Sequence, residues 1–119
     1  PGLVKDPGKE LDFQGVYRLK PTGELTLLTK EMARPNGIAL SPDEKTLYVA
    51  NSDPEKAIWM AFPIKADGTL DAGKVVHDAT EEVKAKKPGL PDGLKVDQHG
   101  NIFATGPDGV FVFAPDHTY

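Results

Sequence analysis

A six-residue segment recurs in this chain, and its spacing limits the folds open to it. Pro35-Asn36-Gly37-Ile38-Ala39-Leu40 aligns with Pro91-Asp92-Gly93-Leu94-Lys95-Val96 at an offset of 56. After a one-residue shortening of the turn, Leu47-Tyr48-Val49-Ala50 aligns with Ile102-Phe103-Ala104-Thr105 at an offset of 55. A strand with aromatics follows each unit, at 57–62 and 109–113, and Gly15-Val16-Tyr17 resembles Gly109-Val110-Phe111 at an offset of 94, two repeats of 47. Units of about 40–50 residues with four short strands are the signature of propeller blades. The expected fold is therefore all-β, a β-propeller of which this chain holds about two and a half blades. Residues 1–30 would end one blade, 31–87 form a complete blade, and 88–119 make most of the next. The competing reading is a small β-sandwich with two accidentally similar hairpins.

The pattern between the repeats agrees with strands. Gly15–Lys20 alternates short aromatic and branched residues, Pro21-Thr22-Gly23 punctuates it, and Leu25–Thr29 follows, which reads as a hairpin. Ser41-Pro42-Asp43-Glu44-Lys45 separates two strands as a polar turn, and Asp97-Gln98-His99-Gly100 does so again. Gly and Pro make up 23 of 119 residues, against roughly 12% in average usage, which suits a chain that turns often. Thr80–Lys87 stands apart. Thr80 as N-cap and a Glu82–Lys86 pair at i,i+4 allow two helical turns, but a helix so short is marginal in water. The expectation there is a loop with nascent helix, ended by Pro88-Gly89.

Composition excludes several classes. There is no cysteine, so neither a disulfide framework nor a thiolate zinc site is available. The strongly apolar stretch free of charge, 57–64, is far below the roughly 20 residues that cross a bilayer. A net charge of −4 is wrong for a basic nucleic-acid binder, so neither nucleic acid nor membrane is an expected partner. Compartment stays open between cytoplasm and periplasm. Pro1 as first residue points to a processed or truncated chain.

Several motifs fail on inspection. Gly68–Lys74 satisfies GxxxxGK, but Val75 replaces the magnesium-binding hydroxyl and β-formers follow instead of a helix. Ser41 and Ser52 lie in a turn and at a strand end, without a GxSxG elbow. His77, His99 and His117 lack zinc spacing; they read as a strand residue, a turn residue and a solvated residue near the end. Lys84, Lys86 and Lys87 read as a solvated loop face, and Asp12, Asp43 and Asp67 as turn or loop acids.

Asn36 and Asp92 remain. Each alone reads as a turn residue before glycine. Their equivalent places in successive repeats change that reading, because the first strand of each blade lines the central channel and its entrance residues converge near one axis. An amide carbonyl and a carboxylate converging there are hard oxygen donors, suited to calcium, magnesium or manganese more than to softer metals. The remaining donors would come from other blades or water. Asn51, Ser52 and Asp53 read either as a substrate rim or as a polar loop closing a hairpin.

Arg34–Asp43, Leu47–Ser52 and Pro88–Leu94 resemble the SMP-30/gluconolactonase/regucalcin family, over roughly Phe13 to Asp116. The resemblance implies a six-bladed β-propeller of about 300 residues, of which this chain is the later-middle part, and a metal-dependent lactonase of sugar-acid lactones. It implies one divalent cation, calcium foremost with magnesium, manganese or zinc as alternatives, held by Asn36 and Asp92. A further family ligand, a Glu near the N-terminus, has no counterpart here. The mechanism it implies has the cation polarise the lactone carbonyl while Asp92 positions or deprotonates water. Two other functions stay open: a non-catalytic propeller that binds calcium or a partner protein, and an inactive fragment lacking the remaining ligands. The chain is expected to work with the missing blades of the same protein.

Overall fold

A computed structural model describes residues 6–119, and nearly all of its regular secondary structure is antiparallel β-sheet. The strands are β1 (Val16–Leu19), β2 (Leu25–Thr29), β3 (Pro35–Leu40), β4 (Thr46–Asp53), β5 (Lys56–Pro63), β6 (Lys74–Asp78), β7 (Leu94–Val96), β8 (Ile102–Gly106) and β9 (Gly109–Phe113). They form a two-stranded sheet β1-β2, a four-stranded sheet β3-β4-β5-β6 and a three-stranded sheet β7-β8-β9, each in sequence order.

The middle sheet is covered on both faces, which is why β4 and β5 are nearly continuous apolar runs. Side chains alternate across a strand. On one face Leu47, Val49, Ile58, Met60 and Phe62 pack with Val16 and Met32 beside the first sheet. On the other, Tyr48, Ala50, Trp59 and Ala61 pack with Leu94, Ile102, Ala104, Phe111 and Phe113 of the third. Trp59 lies 5.0 Å from Phe111 and 5.7 Å from Phe113, ring centre to ring centre. Gly106 makes room for the indole, since a Cβ there would lie 2.6 Å from the Trp59 ring. Burying each such large side chain contributes about 1.5–3 kcal/mol. The far faces of the outer sheets are apolar and open: Tyr17, Leu19, Leu25 and Leu27 on one, Phe103, Val110 and Val112 on the other, with Leu19 68% and Val110 61% exposed.

Two local expectations are corrected. Thr80–Lys84 is an α-helix, α1, and Thr80 is its first residue instead of its cap. The Asp78 carboxylate takes the capping role, accepting the Thr80 N–H at 2.9 Å and its hydroxyl at 2.5 Å. Thr80 is buried because its Oγ1 also accepts the Ala57 N–H at 3.1 Å, so tertiary contact stabilises a helix too short to stand alone. The expected Glu82–Lys86 pair is replaced by Glu81–Lys84 at 2.8 Å, because the chain leaves the helix at Lys86 with φ 63°. His117 is not a solvated end residue. It sits edge-on to Tyr48, with Nε2 3.3 Å from the hydroxyl. Burial pushes its imidazole pKa down, nearby Lys74 lowers it further, and Asp116 opposes them.

The turn acids behave as their sequences indicate. Asp43 accepts hydrogen bonds from Ser41 Oγ and the Lys45 N–H, and Asp67 from the hydroxyl and N–H of Thr69, which hold both carboxyls below their ordinary range. Gly68 occupies the turn before β6 at φ 80°, and the GxxxxGK segment runs into a strand, as expected. Among the described residues, no helix is long and apolar enough to cross a membrane.

Candidate metal-binding site

Asn36 lies near the start of β3, where the ladder is irregular. Pro35 pairs with Asn51 and Ile38 with Val49, so three steps along β3 face two along β4. Such a bulge bends a strand and re-aims the side chains within it. Asn51 holds it in place. This side chain is 0% exposed; its Oδ1 accepts the Arg34 N–H at 2.8 Å and its Nδ2 donates to the Lys56 carbonyl at 2.9 Å. The Ser52 N–H donates to the Arg34 carbonyl at 2.8 Å.

Asp92 precedes β7. Its N–H donates to the Thr105 carbonyl at 3.0 Å, and the Thr105 N–H donates to the Gly93 carbonyl at 2.9 Å. This backbone is thus tied to β8, as the Arg34–Asn36 backbone is tied to β4.

The two segments touch. A Cβ on Gly37 would fall 1.9 Å from the Asp92 carbonyl oxygen and 3.1 Å from Gly93 Cα. Gly37 is not among the residues of positive φ, so close approach, not backbone conformation, requires glycine there. The Asn36 Nδ2 donates to Ser52 Oγ at 3.0 Å, and Ser52 Oγ donates to the Pro91 carbonyl. Asn36 is half-buried and Asp92 exposed. Among the described residues, neither Asn36 Oδ1 nor the Asp92 carboxylate has a hydrogen-bond or ion-pair partner.

The donor chemistry fits an oxygen-loving cation in part. One amide oxygen and one carboxylate lie free on touching segments, against the six to eight oxygens that calcium takes. Among the described residues no group of three or more acidic or histidine side chains gathers to complete the set. A groove of about 530 Å³ between β1 and β3 is lined by Tyr17, Arg18, Ile38 and Leu40, among others, and includes neither Asn36 nor Asp92.

Other sequence candidates are now located. Asp53 accepts the Glu55 N–H at 3.1 Å, a hairpin turn. Asn51 and Ser52 belong to β4, not to a loop beyond it, and their polar atoms hold the Asn36 and Pro91 segments. The clue to this scaffolding role is an amide that continues an apolar strand. Lys84 and Lys87 are exposed and pair with Glu81 and Asp108, the second at 3.9 Å. His77 packs in the ring cluster of Trp59, Phe111, Phe113 and Tyr119.

Several known proteins resemble the chain as a whole. The model of the SMP-30/Gluconolactonase/LRE-like region matches residues 2–119. A gluconolactonase of Zymomonas mobilis is 40% identical over 109 residues, covering 91% of this chain and 31% of the relative. Lactonohydrolase oryH of Aspergillus oryzae is 30% identical, covering 80% of this chain and 24% of its own. Among solved structures, a gluconolactonase from Xanthomonas campestris superposes with a TM-score of 0.79 at 33% identity, over 97% of this chain and 38% of that one. A calcium-binding protein, regucalcin, from Agrobacterium tumefaciens gives 0.69 at 26% identity, over 88% and 34%. The chain thus spans between 24% and 38% of the length of these relatives. Its all-β sheets match a segment of their propellers, and the chain belongs to the SMP-30/gluconolactonase/LRE-like family.

Proposed function

We propose that this chain forms part of a metal-dependent lactonase that hydrolyses sugar-acid lactones within a complete six-bladed propeller. Residues 1–30 (of which 1–5 lie outside the described residues), 31–87 and 88–119 would belong to three successive blades, and the open apolar faces of the outer sheets would pack on their neighbours. The observation that carries the reading is that Asn36 and Asp92 lie on touching segments with Oδ1 and the carboxylate free. Kinship with gluconolactonases supplies the substrate class.

Asn36 Oδ1 and the Asp92 carboxylate would hold one divalent cation, calcium by the hardness of these donors. When bound, the cation would supply Lewis acidity to the lactone carbonyl. Asn36 contributes a neutral donor, which leaves the site more electrophilic than a second carboxylate would. Asp92, the one carboxylate of the pair, would orient the attacking water, take its proton on a carboxylate oxygen and return it to the ring oxygen as the acyl C–O bond of the lactone breaks. Ligation lowers its basicity, so its role as ligand is the stronger of the two.

The test is acid release from gluconolactone by the full-length protein, with calcium, magnesium, manganese or zinc added. Asp92→Ala should lower turnover at least 100-fold, on the order expected for losing a positioned acid–base group. Unchanged turnover would refute the assignment. A second reading, a calcium-binding propeller without turnover, is favoured by the two-donor set and by the calcium-binding regucalcin relative. Stoichiometric metal binding with no hydrolysis across a lactone and ester panel would select it.

A further inference from the structure

We propose that Ser52 is the positioning residue of this site: its hydroxyl decides which end of the Asn36 amide is free and ties Asn36 to the segment bearing Asp92. The inference rests on the metal-site reading above and adds a role for a residue outside the ligand set.

The argument is one of donors and acceptors. A serine hydroxyl has one proton and two lone pairs, whereas a peptide carbonyl only accepts. Ser52 Oγ contacts the Pro91 carbonyl, so its single proton is committed there. Toward Asn36 the same oxygen can then only accept. The amide must therefore present Nδ2 to Ser52, as it does at 3.0 Å, and turn Oδ1 away. An amide with no such neighbour has two nearly isosteric orientations, one of which puts N–H groups where a cation would sit. Ser52 removes that second orientation.

The anchor is rigid at both ends. Ser52 is held through its own N–H to the Arg34 carbonyl at 2.8 Å and by its pairing with Ala57 in the β4–β5 ladder. Pro91 is among the most completely buried side chains, and its carbonyl adjoins Asp92 in the chain. The relay Asn36–Ser52–Pro91 thus spans the two segments that Gly37 brings into contact. It is not a generic feature of these hairpins. At the offset of 55 that relates the second strands, the position equivalent to Ser52 is Pro107, which has no hydroxyl.

The test uses the full-length protein, first free of metal. Ser52→Ala should remove the slow exchange of the Asn36 side-chain amide protons seen by NMR and weaken calcium binding by about 10- to 100-fold in a calorimetric titration, as loss of a ligand-orienting partner does. Ser52→Thr keeps the hydroxyl and should restore both; urea unfolding checks that each variant is folded. Calcium affinity unchanged in Ser52→Ala overturns the proposal. If the wild-type protein binds no calcium, or Asp92→Ala binds it undiminished, the metal reading fails separately. The amide protons then still decide the contact: their loss of protection in Ser52→Ala supports it, and their persistence overturns it.

Discussion

Gly37→Ala tests whether contact between the two segments builds the site. The added Cβ would lie 1.9 Å from the Asp92 carbonyl oxygen and 3.0 Å from its carbonyl carbon. A carbon and an oxygen without a bond between them need about 3.2 Å, a little less than two carbons do. The backbones must therefore separate by roughly 1.3 Å, and both are tied into ladders that resist it. Overpacking of this kind costs about 1–3 kcal/mol. The same displacement moves Asn36 relative to Asp92, and an error of about 1 Å in a reacting constellation costs on the order of 100-fold in rate. Urea unfolding and lactone turnover of the full-length protein measure the two effects. Gly23→Ala is the control: its Cβ meets nothing within 4 Å, and its φ of 87° leaves only the strain of a left-handed residue, about 1–2 kcal/mol. The control should lose some stability and no activity, whereas Gly37→Ala should lose both. Full activity in Gly37→Ala would refute the reasoning.

Other outcomes follow from the packing and hydrogen bonding. Asn51→Ala leaves the Arg34 N–H without its side-chain partner and takes one bond from the Lys56 carbonyl, which keeps its place in the β4–β5 ladder, so urea unfolding should show a loss of about 1–3 kcal/mol. Trp59→Ala empties the junction between the second and third sheets and should cost about 3–5 kcal/mol by the same assay. Acid should act through Asp78: hydrogen bonds from the Thr80 side chain, then its backbone, lower this carboxyl below its ordinary 3.8. A lowered carboxyl stabilises the fold above its unfolded value and loses that contribution as pH falls through the folded one. Thr80→Val should therefore reduce the stability lost on acidification below about pH 4, read by urea midpoints across pH. An unchanged pH slope would contradict this account of the cap.

The strand order was legible because the repeat is carried by residue types that strands and tight turns require. Short β-forming runs at Val16–Leu19 and Leu47–Ala50 and glycine-bearing turns at Gly23 and Gly100 suffice to place the hairpins. What sequence alone hid depends on contacts between sheets. Helix α1 is short enough to need Ala57 and Thr80 to meet across the fold, and His117 reaches Tyr48 only because the third sheet folds beside the second. Asn36 and Asp92 were visible through their equivalent places. Ser52 was not recognisable as a link, because nothing in a six-residue motif shows that a hydroxyl on β4 meets the carbonyl of Pro91, 39 residues later.

Anomalous diffraction from crystals of the full-length protein soaked in manganese locates a bound cation without reference to turnover. The account predicts one strong peak within about 2.5 Å of both Asn36 Oδ1 and an Asp92 carboxylate oxygen, lost in Asp92→Ala. A peak elsewhere, or one that persists in that variant, would contradict it.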